Sequence, residues 1–328
     1  MSEKWSEVLE AYDMMVVSTY RGRGVLVCVT DKGLYLLKEF DGSVERLAKE
    51  ELFKQQLYDL GYTRVDRYVR NREGELLSYD KYHTAYVMKE HFEGKECNMK
   101  NCEEMQLAVA ELARFHQHGR ALAIKQELVW ERRVSDIYEK HNRELKRVKA
   151  HISGMRHKSE FEYLYITCFQ DYYEKACRVS EGMKKLSGKY NCMGYCHGAC
   201  NQHNLLVQGT KVTLVNYEKF CVDCQLLDLH QFVRKAMEKN EYRFDILQRI
   251  LGAYHQVEPL SKGEYELLYT LLAYPEKFWK ISNRYYNTRK SWIPPKTIEK
   301  LQTVLEQERV KEQLLQDMRE YYGLEVIL

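Results

Sequence analysis

Apolar and polar positions follow two different rhythms along the chain. In the first ninety residues the apolar runs are short and rich in β-branched side chains. Residues 14–20 and 25–30 are of this kind, and Arg21-Gly22-Arg23-Gly24 between them is turn-prone, so the pair predicts a β-hairpin. Asp31-Lys32-Gly33 predicts a second turn and residues 34–38 a third strand. Ser43 is the expected N-cap of a helix carrying Leu47, Phe53, Leu57 and Leu60 and ending near Gly61. Two more strands are expected at 66–71 and 84–90, on either side of a turn at Glu73-Gly74.

Beyond Glu93-Gly94 the period becomes helical. Met105, Ala108, Leu112 and Phe115 define one buried helix face. Phe161, Tyr165, Cys168, Tyr172, Ala176, Val179 and Met183 step by four and three, which predicts a long helix. Residues 190–220 return to short strands and loops. Helices are then expected at 226–239, 242–254, 262–272, 275–286 and 296–322, the last charged but striped by Ile298, Leu301, Leu305, Leu315 and Met318. The predicted class is α+β and bilobal: a small antiparallel sheet lobe with one helix (residues 1–91) and a larger, mainly helical lobe (92–328).

Charge and composition narrow the function. The 51 Lys+Arg against 48 Asp+Glu leave a net charge of +3, too even for a protein that coats nucleic acid electrostatically. Hydrophobic residues make up 45% and charged residues 30%, the balance of a folded globular chain. No apolar run reaches the roughly 18 residues of a membrane span, and the N-terminus lacks an apolar core with a cleavage site. A cytoplasmic chain is therefore expected, with its 10 cysteines as thiols and not as a disulfide scaffold. Cys192, Cys196, Cys200, Cys221 and Cys224 cluster near His197 and His203, and Cys221-x-x-Cys224 has zinc-knuckle spacing. Buried small hydrophobes are the preferred explanation over zinc. Among the 26 tyrosines, Tyr165, Tyr172 and Tyr269 fit helix faces and need no special role.

The informative segment is Cys196-His197-Gly198-Ala199-Cys200-Asn201-Gln202-His203-Asn204-Leu205-Leu206-Val207, then a turn at Gln208-Gly209 and the apolar strand up to Asn216-Tyr217-Glu218. It resembles the His-Gly-Asp-x-x-x-x-Asn catalytic loop of the aminoglycoside phosphotransferase and choline kinase-like family. Leu112 to His116, Asp223, Asp228-Leu229 and Leu37-Lys38 resemble further pieces of that pattern. The segments Leu267 to Leu272, Pro275 to Lys280 and Asn283 to Asn287 are similar to those of the CotS-type spore-coat branch. The resemblance implies a protein-kinase-like fold and a cleft for ATP and Mg²⁺. There the residue after His-Gly takes the acceptor's proton, Asn204 and the residue at 216 hold the metal, and Lys38 contacts phosphate with a helix Glu, either Glu50 or Glu51, as its partner.

Two decisive carboxylates are missing from that pattern. Ala199 stands at the proton-accepting position and Asn216 at the metal-binding one. Loss of a positioned base alone costs on the order of 10²–10⁴ in rate. The expectation is a pseudokinase: a coat-assembly or scaffold component with no catalytic residue and a structural His197. No cofactor is required, and Lys38, Asn204, Gly22 and Gly24 would provide at most weak ATP binding. Gly22 and Gly24 read more simply as a hairpin turn. Asn204, Asn216 and Glu218 form a degenerate magnesium set, with Glu218 as the substitute carboxylate. Expected partners are spore-coat proteins, with a nucleotide or small molecule in the cleft and neither nucleic acid nor membrane. The expected location is the mother-cell cytoplasm, followed by assembly into the coat. The alternatives are an ATP-dependent phosphotransferase acting on a small hydroxylated substrate, and a groove for a peptide or sugar.

Overall fold

The computed structural model describes residues 3–22, 25–124, 134–186, 188, 191–287 and 295–326. A short helix α1 (Glu3–Glu10) precedes strands β1 (Val16–Gly22), β2 (Val25–Thr30) and β3 (Gly33–Glu39). Helix α2 (Val44–Asp59) follows, then β4 (Tyr68–Val69), β5 (Ser78–Tyr79) and β6 (Ala85–Glu90). The strands form one sheet in the order β1-β2-β3-β6-β4, with β5 also on β6, and every pairing is antiparallel. Alternation along the strands sorts the two faces. Leu37, Tyr86 and Met88 pack on Val8, Leu9 and Tyr12 around α1. The opposite face carries Lys38 and, through the register Leu36↔Lys89, Lys89 as its diagonal neighbour.

Helix α2 is capped by Ser43, whose side chain accepts from the Arg46 amide. Its apolar side belongs to the larger core: Phe53, Leu57, Tyr62 and Val65 pack with the helical remainder of the chain. Phe53 stacks on Phe220 at 4.6 Å and on Tyr195 at 4.8 Å between ring centroids.

The remainder comprises β7 (Lys95–Glu96), α3 (Cys102–Ala121), α4 (Val134–Ser153), α5 (Glu160–Lys185), β8 (Met193–Cys196), a 3-10 turn (Gln202–Asn204), β9 (Leu205–Gln208), β10 (Lys211–Leu214) and β11 (Cys221–Cys224). Helices α6 (Leu226–Lys239), α7 (Phe244–Val257), α8 (Lys262–Ala273), α9 (Glu276–Asn287) and α10 (Pro295–Tyr321) complete it. Tyr165, Tyr172 and Tyr269 are buried, as their helix faces required. Helix α10 buries Leu301, Val304, Leu314, Leu315 and Met318 in the common core. No helix among the described residues is long and apolar enough to cross a membrane.

The sequence pattern misplaced several features. Helix α4 was not anticipated, although Tyr138, Leu145, Val148 and Ile152 form its buried stripe. The strand expected at 66–71 shrinks to Tyr68–Val69, because Asp66 turns into a buried ion network and Arg70 turns out to Glu51 and the Gly74 carbonyl. Helix α7 begins two residues late, since Glu241 and Tyr242 hold positive φ angles of 52° and 55° that no helix continues through. The all-thiol expectation also fails. Cys192 and Cys224 form a disulfide with their Cα atoms 5.0 Å apart. The pairing of β8 with β11 brings together two residues that stand 32 apart in sequence.

Candidate active site

The loop after β8 is held by one carboxylate. Asp228, in the first turn of α6, accepts from the His197 amide at 2.6 Å and the Gly198 amide at 3.0 Å. The same group lies 3.4 Å from His116 Nε2, and His116 Nδ1 meets the Tyr254 hydroxyl at 2.7 Å. Gly198 has φ +72°, and a Cβ there would collide with the Lys219 carbonyl oxygen; only glycine fits. His197 Nε2 donates to the Val215 carbonyl at 3.0 Å while Nδ1 accepts from the Ala199 amide at 3.3 Å. Both ring nitrogens are occupied. Burial lowers the His197 pKa against the opposing pull of Asp228 and keeps the ring neutral.

Asparagine amides bridge the next positions. Asn204 Nδ2 donates to the Ala199 carbonyl at 2.9 Å, and Asn201 Nδ2 donates to the same oxygen at 3.0 Å. Asn216 Nδ2 donates to Asn204 Oδ1 at 3.0 Å. Asn216 has φ +67°, a conformation asparagine tolerates, and its amide donates to Asp66 Oδ2 at 3.1 Å. The two side chains expected to grip a metal grip each other.

Three ammonium groups and three carboxylates fill the space behind them. Lys38 and Lys89 both lie 3.1 Å from Glu218 Oε1. Lys89 reaches Asp66 at 3.3 Å; Lys54 reaches Asp66 at 2.9 Å and Glu50 at 2.6 Å. The expected pairing of Lys38 with Glu50 or Glu51 is therefore corrected. Glu50 is taken by Lys54 one helical turn on, Glu51 pairs with Arg70 at 2.7 Å, and Lys38 turns to Glu218. Burial pushes the Glu218 pKa up, but the ammonium groups of Lys89 and Lys38 outweigh it and hold the carboxyl well below the usual range. Asp66 is lowered in the same way, with Lys54 and Lys89 overcoming its burial. Gly22 ends β1 opposite Val25 in the hairpin, and Gly24 lies outside the described residues.

The other side of the loop opens into a cavity of about 220 Å³ lined by Tyr138, His141, Gly198, Asp223, His230 and Glu276 among others. Asp223 Oδ1 accepts only the Cys224 amide among the described hydrogen bonds, and burial raises its pKa to about 6. His141 Nδ1 and His230 Nε2 have no hydrogen-bond partner among the described residues. Burial lowers both rings to about 4.

A family described as "Spore coat putative kinase YutH" matches residues 6–318. The chain belongs to this family. It is 23% identical over 334 residues to spore coat protein S of Bacillus subtilis strain 168, covering 97% of this chain and 94% of that protein. Its fold matches an aminoglycoside phosphotransferase from Alicyclobacillus acidocaldarius at TM-score 0.85, with 18% identity and coverage of 97% and 96% of the two chains. AMP-bound spectinomycin phosphotransferase follows at TM-score 0.64 and 13% identity, covering 94% and 96%. These likenesses establish a kinase-like phosphotransferase fold in a spore-coat family.

A magnesium ion, which the resemblance of the loop implies, does not fit the residues present here. The donors at its place are two neutral amides already bonded to each other, and Glu218, whose charge two lysines neutralise. A hard dication needs anionic oxygens. Among the described residues no group of three His, Cys, Asp or Glu side chains converges to hold a metal, which also covers the zinc-knuckle spacing. Sequence reading missed Lys54, Asp66 and Lys89. The available signal was a lysine in each of two otherwise apolar, buried segments, beside Phe53 and beside Met88.

Proposed function

We propose that this chain is a coat-associated kinase-like scaffold that does not carry out metal-dependent phosphoryl transfer. One observation carries the reading: the Ala199–Asn204–Asn216 chain of hydrogen bonds stands where a base and a metal ion would work. A methyl group at 199 accepts no proton, and neutral amides hold a hard cation weakly. Coat association is supported by the family and by the spore coat protein S relative, and coat proteins are the partners this implies. Lys38 and Asn204 leave a weak nucleotide interaction open. The proposed division into a sheet lobe and a helical lobe near residue 91 places the cleft between them.

The test is a transfer assay with labelled ATP and Mg²⁺ or Mn²⁺ against amino sugars, choline and small polyols. The expected result is no product above background. Product formation by the wild-type chain would favour the rival phosphotransferase reading, with Glu218 serving the metal. The double variant Ala199→Asp, Asn216→Asp distinguishes a merely disarmed cleft, which regains ATPase activity, from a remodelled one, which does not.

A further inference from the structure

Strands β8 and β11 form a ladder of four residue pairs with cysteines at both ends. At one end Cys192 and Cys224 are joined as a disulfide. At the other, Cys196 and Cys221 stand directly opposite each other and carry free thiols. Directly opposed residues of an antiparallel pair project to the same side of the ladder. Both side chains accordingly line the cavity of about 220 Å³ beside the His197-Gly198 loop, together with Asp223, two residues further along β11. Cys196 leans across the ladder: its sulfur lies 3.5 Å from the Asp223 carbonyl oxygen, and its thiol shares a hydrogen bond with Cys221. The two residues are only 2% and 3% exposed, so the cavity is what brings a small reagent to them. Among the described residues no third donor converges on the pair to hold a metal.

We infer that Cys196 and Cys221 are a reversible thiol pair, which a small disulfide entering this cavity oxidises to a second cross-strand disulfide. One protein sulfur, as its thiolate, attacks a sulfur of the reagent, breaks the reagent's S–S bond and releases a small thiolate that takes up the proton. The opposing thiol then attacks the protein sulfur of the mixed disulfide, and the second small thiol leaves with the remaining proton. The pair loses two electrons and two protons, and the reagent gains them. Burial above all, and the hydrogen bond to Cys221 after it, push the Cys196 thiol well above its ordinary range. Attack from that sulfur is therefore slow, and the pair persists as thiols while Cys192–Cys224 is already closed. Opposed Cβ atoms stand about 4.5–5.5 Å apart, and a disulfide needs about 3.5–4.5 Å. Closure thus draws the strands together by about 1 Å. The terminal position of both residues, Cys196 last in β8 and Cys221 first in β11, allows that movement. A bridge closed under such strain is reduced more readily than an unstrained one. It ties the residue before His197 to β11, and so fixes the base of the loop next to its Asp228 anchor. None of this depends on whether the loop is catalytic.

Incubation of the full chain with hydroxyethyl disulfide, alkylation in denaturant and peptide mass mapping test the pair. Cys196 and Cys221 should disappear together from the alkylatable thiols and return as one cross-linked peptide pair, with Cys192–Cys224 unchanged. The half-exposed Cys102 and Cys177 report in the same sample that the reagent is active, as mixed disulfides. On titration with a monothiol reductant, the new bridge should open before Cys192–Cys224. Three results in the wild-type chain each overturn the inference: both thiols remaining alkylatable while Cys102 and Cys177 react, a small-thiol adduct persisting on either one, or a bridge from either to Cys192 or Cys224. A Cys196–Cys221 bridge that outlasts Cys192–Cys224 in the reductant overturns its reversibility. In Cys221→Ala, Cys196 should form no bridge to any other cysteine; such a bridge would show that the facing partner does not select the reaction.

Discussion

The two sides of the His197-Gly198 loop have been treated in opposite ways. On the sheet side every lysine meets a carboxylate: Lys38 and Lys89 on Glu218, Lys89 and Lys54 on Asp66, Lys54 on Glu50. On the other side, Asp223, His141 and His230 line a cavity of about 220 Å³ with most of their hydrogen-bonding capacity unused. Opposite charges collapse onto each other when nothing intervenes, so a cleft that sets Lys38, Lys89 and Lys54 beside Glu218, Asp66 and Glu50 closes on itself. Asp223 has no ion pair among the described residues, while the cations near the cavity are taken by Glu276, which pairs with Arg234 and Lys280.

The strongest way to break this contrast is to remove the hub of the closed side. Asp66→Ala would leave three ammonium groups, Lys38, Lys54 and Lys89, against two carboxylates, Glu50 and Glu218, and the Asn216 amide without its acceptor. The expected cost is about 3–5 kcal/mol. Urea unfolding measures it, and a loss below about 1 kcal/mol would mean that the network is not a unit.

Next in size is the staple on the open side. The Cys192–Cys224 bridge joins the ends of the paired strands β8 and β11 across 32 residues, and loop-closure entropy assigns it about 3–4 kcal/mol. Thermal melts with and without reductant should separate clearly. Coincident melts would show that strand pairing alone holds β8 and β11 together.

The two sides should also respond to pH with opposite signs. Asp66 is held below its ordinary value by Lys54 and Lys89 against the effect of burial, so its contribution is present above about pH 4 and is lost as pH falls. Asp223 titrates at about 6 because burial raises it. The folded state therefore keeps its proton longer than the unfolded chain does. Stability falls between about pH 4 and 6 and is then level. Asp223→Asn should remove that slope and stabilise the protein at pH 8 by at most about 3 kcal/mol, with little change at pH 4. A variant equally stable at both values relative to wild type would contradict the assignment.

The smallest effect is expected at the outer rim of the closed side. Lys38 and Glu218 are each more than a third exposed, so Lys38→Ala should cost no more than about 1 kcal/mol. A larger loss in the thermal melt would mean that this pair, and not the buried core behind it, keeps the sheet against the helical part.

Much of this protein was legible in the order of its residues. Alternating β-branched runs followed by helical stripes determined the α+β class, because faces that must be buried repeat with the period of the element carrying them. The His197-Gly198 loop, and the positions of Ala199 and Asn216 in its pattern, were recognisable through the resemblance to a known catalytic loop, since a motif keeps its residue order along the chain. The partner of Lys38 was not legible: Glu218 lies 180 residues away, and the resemblance pointed to a helix glutamate, Glu50 or Glu51. Nor were the roles of Lys54, Asp66 and Lys89, the disulfide, or the cavity beside Asp223. Each depends on which distant charges or thiols the packed chain leaves as neighbours. Coulomb attraction and desolvation act through space, so only the assembled fold could decide them.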